Sequence, residues 1–465
     1  MGKELHIVMF PWFAMGHMIP FLHLANNLAK RGHKTTFLLP NKAIPHLASL
    51  NLHPSLITLR PITVPHVEPL PPGTETASDI PIHLNRHLAT AMDLARPEVE
   101  QIIMGLESKP NLLFYDAAHW VPEIASKLPG VRTVCYKVVG AASIAIAVVP
   151  ARGPTRDRPM TEWDLARLPQ GYPSNEVVLR GEEWRELLFI GLEFGSGLTF
   201  YERITKAIRS CDAVAFRTCR EIEGSFCDYI ASQYNKPVFL TGPVLPELDS
   251  HGTKPTPLDR KWSDWLDQFG SGSVVFCAFG TQFVLEKEQL KELLLGFEMA
   301  GKPFLVAVKP PSGCASIEEA LPEGFEERVQ ERGVVCGSWV QQPQILAHPS
   351  VGCFVNHCGF GSMWESLMSE SQIVLVPQLG DQILNSRILA GEMKVAVEVE
   401  RGENGWVSKE NLCKAINSVM DEGSEVGELV KKNHAKWREV FVREGFQSGY
   451  MDNFVKDLEM LVGGY

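Results

Sequence analysis

At 465 residues the chain is longer than one hydrophobic core usually supports, so two domains are expected. A hydrophobic fraction of 45% with 21% charged residues is ordinary for a soluble globular protein. The 44 basic against 55 acidic residues leave a net charge of −11, which argues against a general binder of nucleic acid or of acidic membranes. Ten cysteines are scattered without a Cys-x-x-Cys pair, so buried reduced thiols are expected rather than a zinc or redox site. The opening Met1-Gly-Lys-Glu-Leu-His6 lacks a basic-then-apolar secretory pattern, and no Asn-x-Ser/Thr acceptor occurs. The longer apolar runs, such as 141–149, are too short to span a bilayer. The expected setting is a reducing cytosol, with no nucleic-acid partner and no stable membrane insertion.

In chain order, 5–10 reads as a buried strand, followed by the loop Pro11-Trp-Phe-Ala-Met-Gly-His17, a helix over 18–30 stopped by Gly32, and a strand over 34–39. This opening is Rossmann-like, but its loop lacks the Gly-x-Gly-x-x-Gly dinucleotide fingerprint, so the first half should hold something other than the nucleotide. Residues 40–81, rich in proline, predict loops and short strands. A helix follows over 85–106, then strands over 112–115, ending at Asp116, and over 131–138. The proline- and charge-rich 150–172 predicts an irregular excursion near an acceptor entrance, and 182–209 returns to helical spacing. The polar, proline-broken 242–257 is the candidate linker. The expected domains are therefore 1–241 and 258–465, with the last helix packing back on the first. After a helix over 261–268, strands are expected at 273–279, 304–308, 334–336, 351–355, 373–376 and 395–399, and helices fill 409–462. No repeat of solenoid period is visible.

The stretch 339–382, WVQQPQILAHPSVGCFVNHCGFGSMWESLMSESQIVLVPQLGDQ, is the most informative. A short helix (343–348) leads into the strand 351–355, a polar turn, a helix and the strand 373–376, an α/β unit whose ligand face lies where strands end and helices begin. The turn Asn356-His357-Cys358-Gly359-Phe360-Gly361-Ser362 carries two glycines, which allow close backbone approach and leave amide N–H groups at a helix start, an arrangement suited to phosphate. Trp339 can lie flat on a planar base and Glu365 can accept hydrogen bonds from a ribose diol. Asp381 and Gln382 supply acceptors and a donor for sugar hydroxyls. In the first half, His17 between strand and helix is suited to take a proton near neutral pH, or is a capping or merely polar loop residue. Asp116 in Tyr115-Asp-Ala-Ala-His119-Trp120 can hold an imidazole in one tautomer, or cap the next helix. His119 either lines an acceptor pocket or simply packs.

The stretch 339–382 resembles the C-terminal nucleotide-sugar signature of plant family-1 UDP-glycosyltransferases in length, order and nearly every polar position, and the resemblance extends more weakly over the whole chain. It implies the GT-B arrangement: two facing Rossmann-like α/β domains with parallel sheets and a cleft between them. It implies catalytic roles for His17 and Asp116, donor binding by Gly280, Thr281, Trp339, the Val340 backbone, Gln342, His357, Gly359, Gly361, Ser362, Glu365, Asp381 and Gln382, and acceptor contacts at Phe13 and His119. Met363 and Trp364 read as core. The implied activity is inverting transfer from a UDP-sugar to a hydroxyl of a plant secondary metabolite. The segments Phe10-Pro-Trp-Phe-Ala-Met-Gly-His17 and Tyr115-Asp-Ala-Ala-His-Trp120 resemble the branch that extends flavonoid or anthocyanin glycosides, with terpenoid or saponin glycosides and a bare aglycone as alternatives. Partners are then a UDP-sugar and a small-molecule glycoside.

Two positions depart from the common family pattern. Phe360 and Gly361 stand where many relatives have Trp and Asn, which removes one side-chain hydrogen bond near the donor. Gln382 is usual in glucose users, although some relatives with this Phe-Gly variant transfer xylose or rhamnose. No Asp-x-Asp triplet occurs, and helix amides, His357 and hydroxyls can neutralise a departing diphosphate, so no cofactor and no bound metal is required. A nicotinamide oxidoreductase would need the absent fingerprint, and a non-catalytic binder could dispense with His17 and Asp116, which are both present.

Overall fold

A computed structural model describes residues 4–153, 160–244, 257–280, 284–402 and 405–464. The chain divides into two compact units, one of residues 1–246 with 444–465, the other of 247–443. Most of the linker expected at 242–257 lies outside the described residues, as does Thr281.

The first unit is built on seven strands, β1 (His6–Phe10), β2 (Lys34–Pro40), β3 (Ile57–Ile62), β4 (Leu112–Tyr115), β5 (Arg132–Lys137), β6 (Ala213–Phe216) and β7 (Val238–Leu240). All pairs are parallel, in the order β3-β2-β1-β4-β5-β6-β7. Parallel strands need crossover connections, so helices cover both faces and the central strands are apolar throughout, as β4 (LLFY) and β6 (AVAF) are. On one face lie the helices Met15–Ala29 and Phe446–Gly463, whose Phe21, Leu24, Met451, Phe454 and Leu458 share a core with β1, β4 and β5. Phe454 sits edge-on to Phe114 at 6.2 Å and to Phe239 at 6.4 Å, which ties the chain's last helix to this unit.

The second unit repeats the plan with six strands, β8 (Val274–Ala278), β9 (Phe304–Ala307), β10 (Gly333–Cys336), β11 (Val351–Asn356), β12 (Gln372–Leu375) and β13 (Ala396–Glu398). They too are all parallel, ordered β10-β9-β8-β11-β12-β13. Helices Lys287–Ala300 and Lys409–Met420 pack on the face formed by Val275, Cys277, Val306, Val355 and Val374.

Local differences from the sequence reading have physical causes. The first helix starts at Met15 rather than at 18, which places His17 in its first turn instead of a loop. The helix expected over 85–106 is two, Asn85–Leu94 and Arg96–Met104, the second with Pro97 in its first turn, whose missing N–H cannot continue the hydrogen-bond ladder of the first. The continuous helix expected over 182–209 is a 3-10 stretch, Gly181–Gly191, and an α-helix, Phe200–Ser210, parted by a turn in which Gly195, Ser196 and Gly197 all have positive φ. β6, the helix Arg220–Tyr234 and β7 had no counterpart in the sequence reading. All ten cysteines are free, and all but Cys314 and Cys413 are buried.

Candidate functional site

In each unit the strand order reverses between two neighbouring strands, and the loops leaving them diverge, which is where open α/β sheets hold ligands. In the first unit these strands are β1 and β4, with Phe10 opposite Tyr115, so the residues that follow each strand end side by side. His17, in the first turn of Met15–Ala29, brings Nδ1 to 2.5 Å from Asp116 Oδ2. The carboxylate is aimed by backbone: its Oδ1 accepts the N–H of Trp12 at 2.7 Å and of Ala117 at 2.6 Å. Lys137 Nζ donates to the Asp116 carbonyl at 2.7 Å, fixing the loop from below. Asp116 is 4% exposed at its side chain and His17 28%, so a buried acid backs a ring that still reaches solvent. With Nδ1 engaged, Nε2 is the nitrogen that can face a substrate. The helix that follows, Val121–Ala125, has Trp120 at its N-cap, so the carboxylate is not spent on capping it.

Both expected acceptor residues are buried. Phe13 is fully buried, edge-on to Phe10 at 5.7 Å and stacked with Trp12 at 6.3 Å, so its ring supports the loop instead of lining an open surface. His119 is buried as well, with no hydrogen-bond partner for Nδ1 among the described residues. Burial and then the Arg203 charge push its pKa down to about 4, which leaves the ring neutral near pH 7.

In the second unit the reversal lies between β8 and β11, with Ala278 opposite Asn356, so Gly280 and the turn 357–359 meet. Cys358 has φ +62, a left-handed conformation costly for a residue with a side chain. Asn356 stabilises it by accepting the Cys358 N–H at 2.8 Å, while Asn385 donates to the Cys358 carbonyl at 2.9 Å. Asn356 and Asn385 are fully buried. Gly359 caps the helix Phe360–Met368, whose first N–H groups belong to Phe360, Gly361 and Ser362. Burial pushes the His357 imidazole down to about 4. Phe360 is buried and edge-on to Trp364, itself fully buried with Met363, so the aromatic at this variant position serves the core.

The Gln342 amide donates to a Glu365 carboxylate oxygen, joining two expected donor residues. The Val340 carbonyl accepts the Gln342 N–H at 2.8 Å, and Trp339 is 72% exposed, its ring free to be covered by a base. Asp381 lies in the first turn of the helix Gly380–Ser386. Gln382 departs from expectation: its Oε1 accepts the N–H groups of Gln378 at 2.9 Å and Leu379 at 3.2 Å, so what it can offer a sugar is its amide N–H. Roles for Asn385 and Lys137 were missed in the sequence; a polar side chain directly after the apolar pair Ile383 and Leu384 was the available signal for the first.

The profile of the family described as UDP-glucoronosyl and UDP-glucosyl transferase matches residues 226–434. The chain is also 57% identical over 464 residues to anthocyanidin 3-O-glucoside 2'''-O-xylosyltransferase of Arabidopsis thaliana, spanning 99% of this chain and 98% of that one. The protein belongs to the UDP-glycosyltransferase family. To UDP-glucosyl transferase 79T1 of Saponaria officinalis this glycosyltransferase is 55% identical, over 99% of both chains. A UDP-glucosyltransferase from Polygonum tinctorium, solved with 3,4-dichloroaniline, superposes with a TM-score of 0.77 at 20% identity, over 100% of both chains, and so shares the fold. The glycosyltransferase thus has the GT-B class of paired parallel-sheet α/β domains expected from its sequence, and its donor is a UDP-sugar.

Proposed function

We propose that this glycosyltransferase adds its sugar to a sugar hydroxyl of a flavonoid or anthocyanin glycoside, with His17 and Asp116 activating the acceptor and the second unit holding the donor. The observation that carries this is the 57% identity, end to end, to an enzyme named for an anthocyanidin 3-O-glucoside acceptor. His17 Nε2 takes the hydroxyl proton, and Asp116 holds the ring and stabilises the imidazolium that forms. The freed oxygen attacks the anomeric carbon opposite the UDP oxygen, whose bond to that carbon breaks, so configuration inverts in one step.

On the donor side, Trp339 stacks on uracil, with the Val340 backbone and Gln342 at its edge, and Glu365 accepts from the ribose. Gly280 and Gly359 allow close approach to the diphosphate, and Thr281 is assigned to the same group by resemblance. Gly361 and Ser362 meet it with N–H groups, the Ser362 hydroxyl and the neutral His357 ring add hydrogen bonds, and no metal is called for. Asp381 and the Gln382 amide hold the sugar. His119 borders the acceptor. We place the enzyme in a reducing cytosol, in keeping with ten unpaired cysteines. Among the described residues no helix is long and apolar enough to cross a membrane.

Purified enzyme given quercetin or its 3-O-glucoside separates the acceptor classes by UDP release. A site that hydrogen-bonds a sugar should favour the glucoside by about tenfold or more in kcat/KM. Preference for the aglycone would contradict the sugar-extending reading.

A further inference from the structure

Behind the loop that carries Asp116 lies a buried ion pair that neither the acceptor nor the donor assignment uses. Arg203, on the helix Phe200–Ser210, is completely buried and pairs with Asp93, on Asn85–Leu94. Its Nη1 donates to Asp93 Oδ1 at 3.0 Å and to the Ala117 carbonyl at 3.3 Å. Its Nε donates to the Phe194 carbonyl at 2.8 Å, and Nη2 to that of Gly195 at 3.3 Å as well as to Asp93. Asp93 in turn accepts the Trp120 indole N–H at 3.0 Å and the Ser196 hydroxyl at 2.6 Å. The turn is pressed so close that a Cβ on Gly195 would lie 2.7 Å from both Ala89 Cβ and Arg203 Nη2.

Taking such a pair out of water is costly, and filling the same space with apolar side chains is often no less stable. What apolar residues cannot do is fix carbonyl groups. Here the guanidinium fork donates to three carbonyls of irregular backbone as well as to Asp93, and the carboxylate accepts from two loop side chains. Both loops bear on the His17–Asp116 contact. Ala117 donates its N–H to Asp116, while its carbonyl is held by Arg203. Trp12, whose N–H also aims Asp116, rests its ring on Phe194 at 5.6 Å, and Phe10 meets Trp120 at 5.5 Å.

We infer that Asp93 and Arg203 are a positioning pair for acceptor activation, holding the loops 117–120 and 194–197 so that Asp116 stays aimed at His17. The inference rests on the assignment of His17 and Asp116 as the activating residues. The pair also faces His119 together with Lys206 and Glu123, and the cation of Arg203 helps to keep that ring uncharged. Burial raises the Asp93 carboxyl, but the hydrogen bond and charge of Arg203 outweigh it, so the acid stays ionised and paired.

Arg203→Lys tests this, because it keeps the charge opposite Asp93 and gives up the fork that holds the carbonyls. The expected result is a loss in kcat of about tenfold or more, with donor KM and UDP affinity within about twofold of the parent enzyme. Introduced on top of His17→Ala, the same change should cost less than about twofold further, since the geometry it disturbs no longer serves a base. Unchanged kcat in Arg203→Lys, or a loss shared equally by kcat and donor affinity, would overturn the inference. Should that variant not fold, Ser196→Ala, which removes only one hydroxyl donor from Asp93, is carried through the same measurements with an expected loss of about threefold or more; unchanged kcat there overturns it equally. Full transfer in His17→Ala alone would instead remove the reading on which the pair depends, so the two failures are told apart.

Discussion

A methyl group on Gly359 would come within 2.6 Å of His357 Nε2, and one on Gly280 within 3.0 Å of its Cε1, so bare backbone forms two walls of the slot that holds this imidazole. Gly359 has φ −58, which any residue adopts, so Gly359→Ala acts through the ring alone, whereas Gly280, at φ +67, would add backbone strain. We expect Gly359→Ala to displace His357 and weaken UDP binding by about tenfold, roughly 1.4 kcal/mol, by calorimetry. An unchanged UDP affinity would mean that His357 does not touch the diphosphate. At this scale the sequence was informative wherever chemistry and backbone coincide. His17, Asp116 and the 356–362 turn carry polar groups at strand ends, where such groups must be accounted for. It was silent where a side chain's partner is its own backbone or a distant ring. Gln382 caps its own helix, and Phe13 is enclosed by Phe10 and Trp12, contacts that only the folded chain specifies.

Strands buried on both faces write themselves into sequence as apolar runs, and β1, β4, β8 and β11, which border the two reversal points, were all legible for that reason. The elements that position the site more finely were not. The first helix begins three residues before the start expected from its apolar periodicity, because Gly16 is a poor helix former, and His17 gains its orientation from that extra turn. The break at 192–199 was hidden by apolar residues on either side of Gly195 and Gly197, and yet this break meets Arg203 and Trp12. β6 and β7 are four and three residues long, too short for a period to show. The last helix, expected from the sequence to pack back on the first domain, joins the first unit's core through Met451, Phe454 and Leu458.

Taken as a whole, the molecule keeps several histidines neutral by burying them. Burial drives His23 down to about 3, and His119 and His357 down to about 4, from about 6.5 in an unfolded chain. Between pH 6.5 and 4 the unfolded chain therefore binds protons that the native protein refuses, and stability falls as pH falls, by up to about 1.4 kcal/mol per pH unit for each histidine. The unfolding midpoint at pH 5 should thus lie several degrees below that at pH 7.5, in scans at constant ionic strength. A midpoint that rises on acidification would show these rings to be paired with acids instead. The proposed function requires a division of labour, with acceptor activation on the first unit and donor binding on the second. Its most direct test is His17→Ala, assayed for both transfer and UDP affinity. Removal of a general base should lower transfer by about a thousandfold while UDP binds within about twofold of the parent enzyme. Transfer at the parent rate, or UDP binding lost together with transfer, would contradict the account.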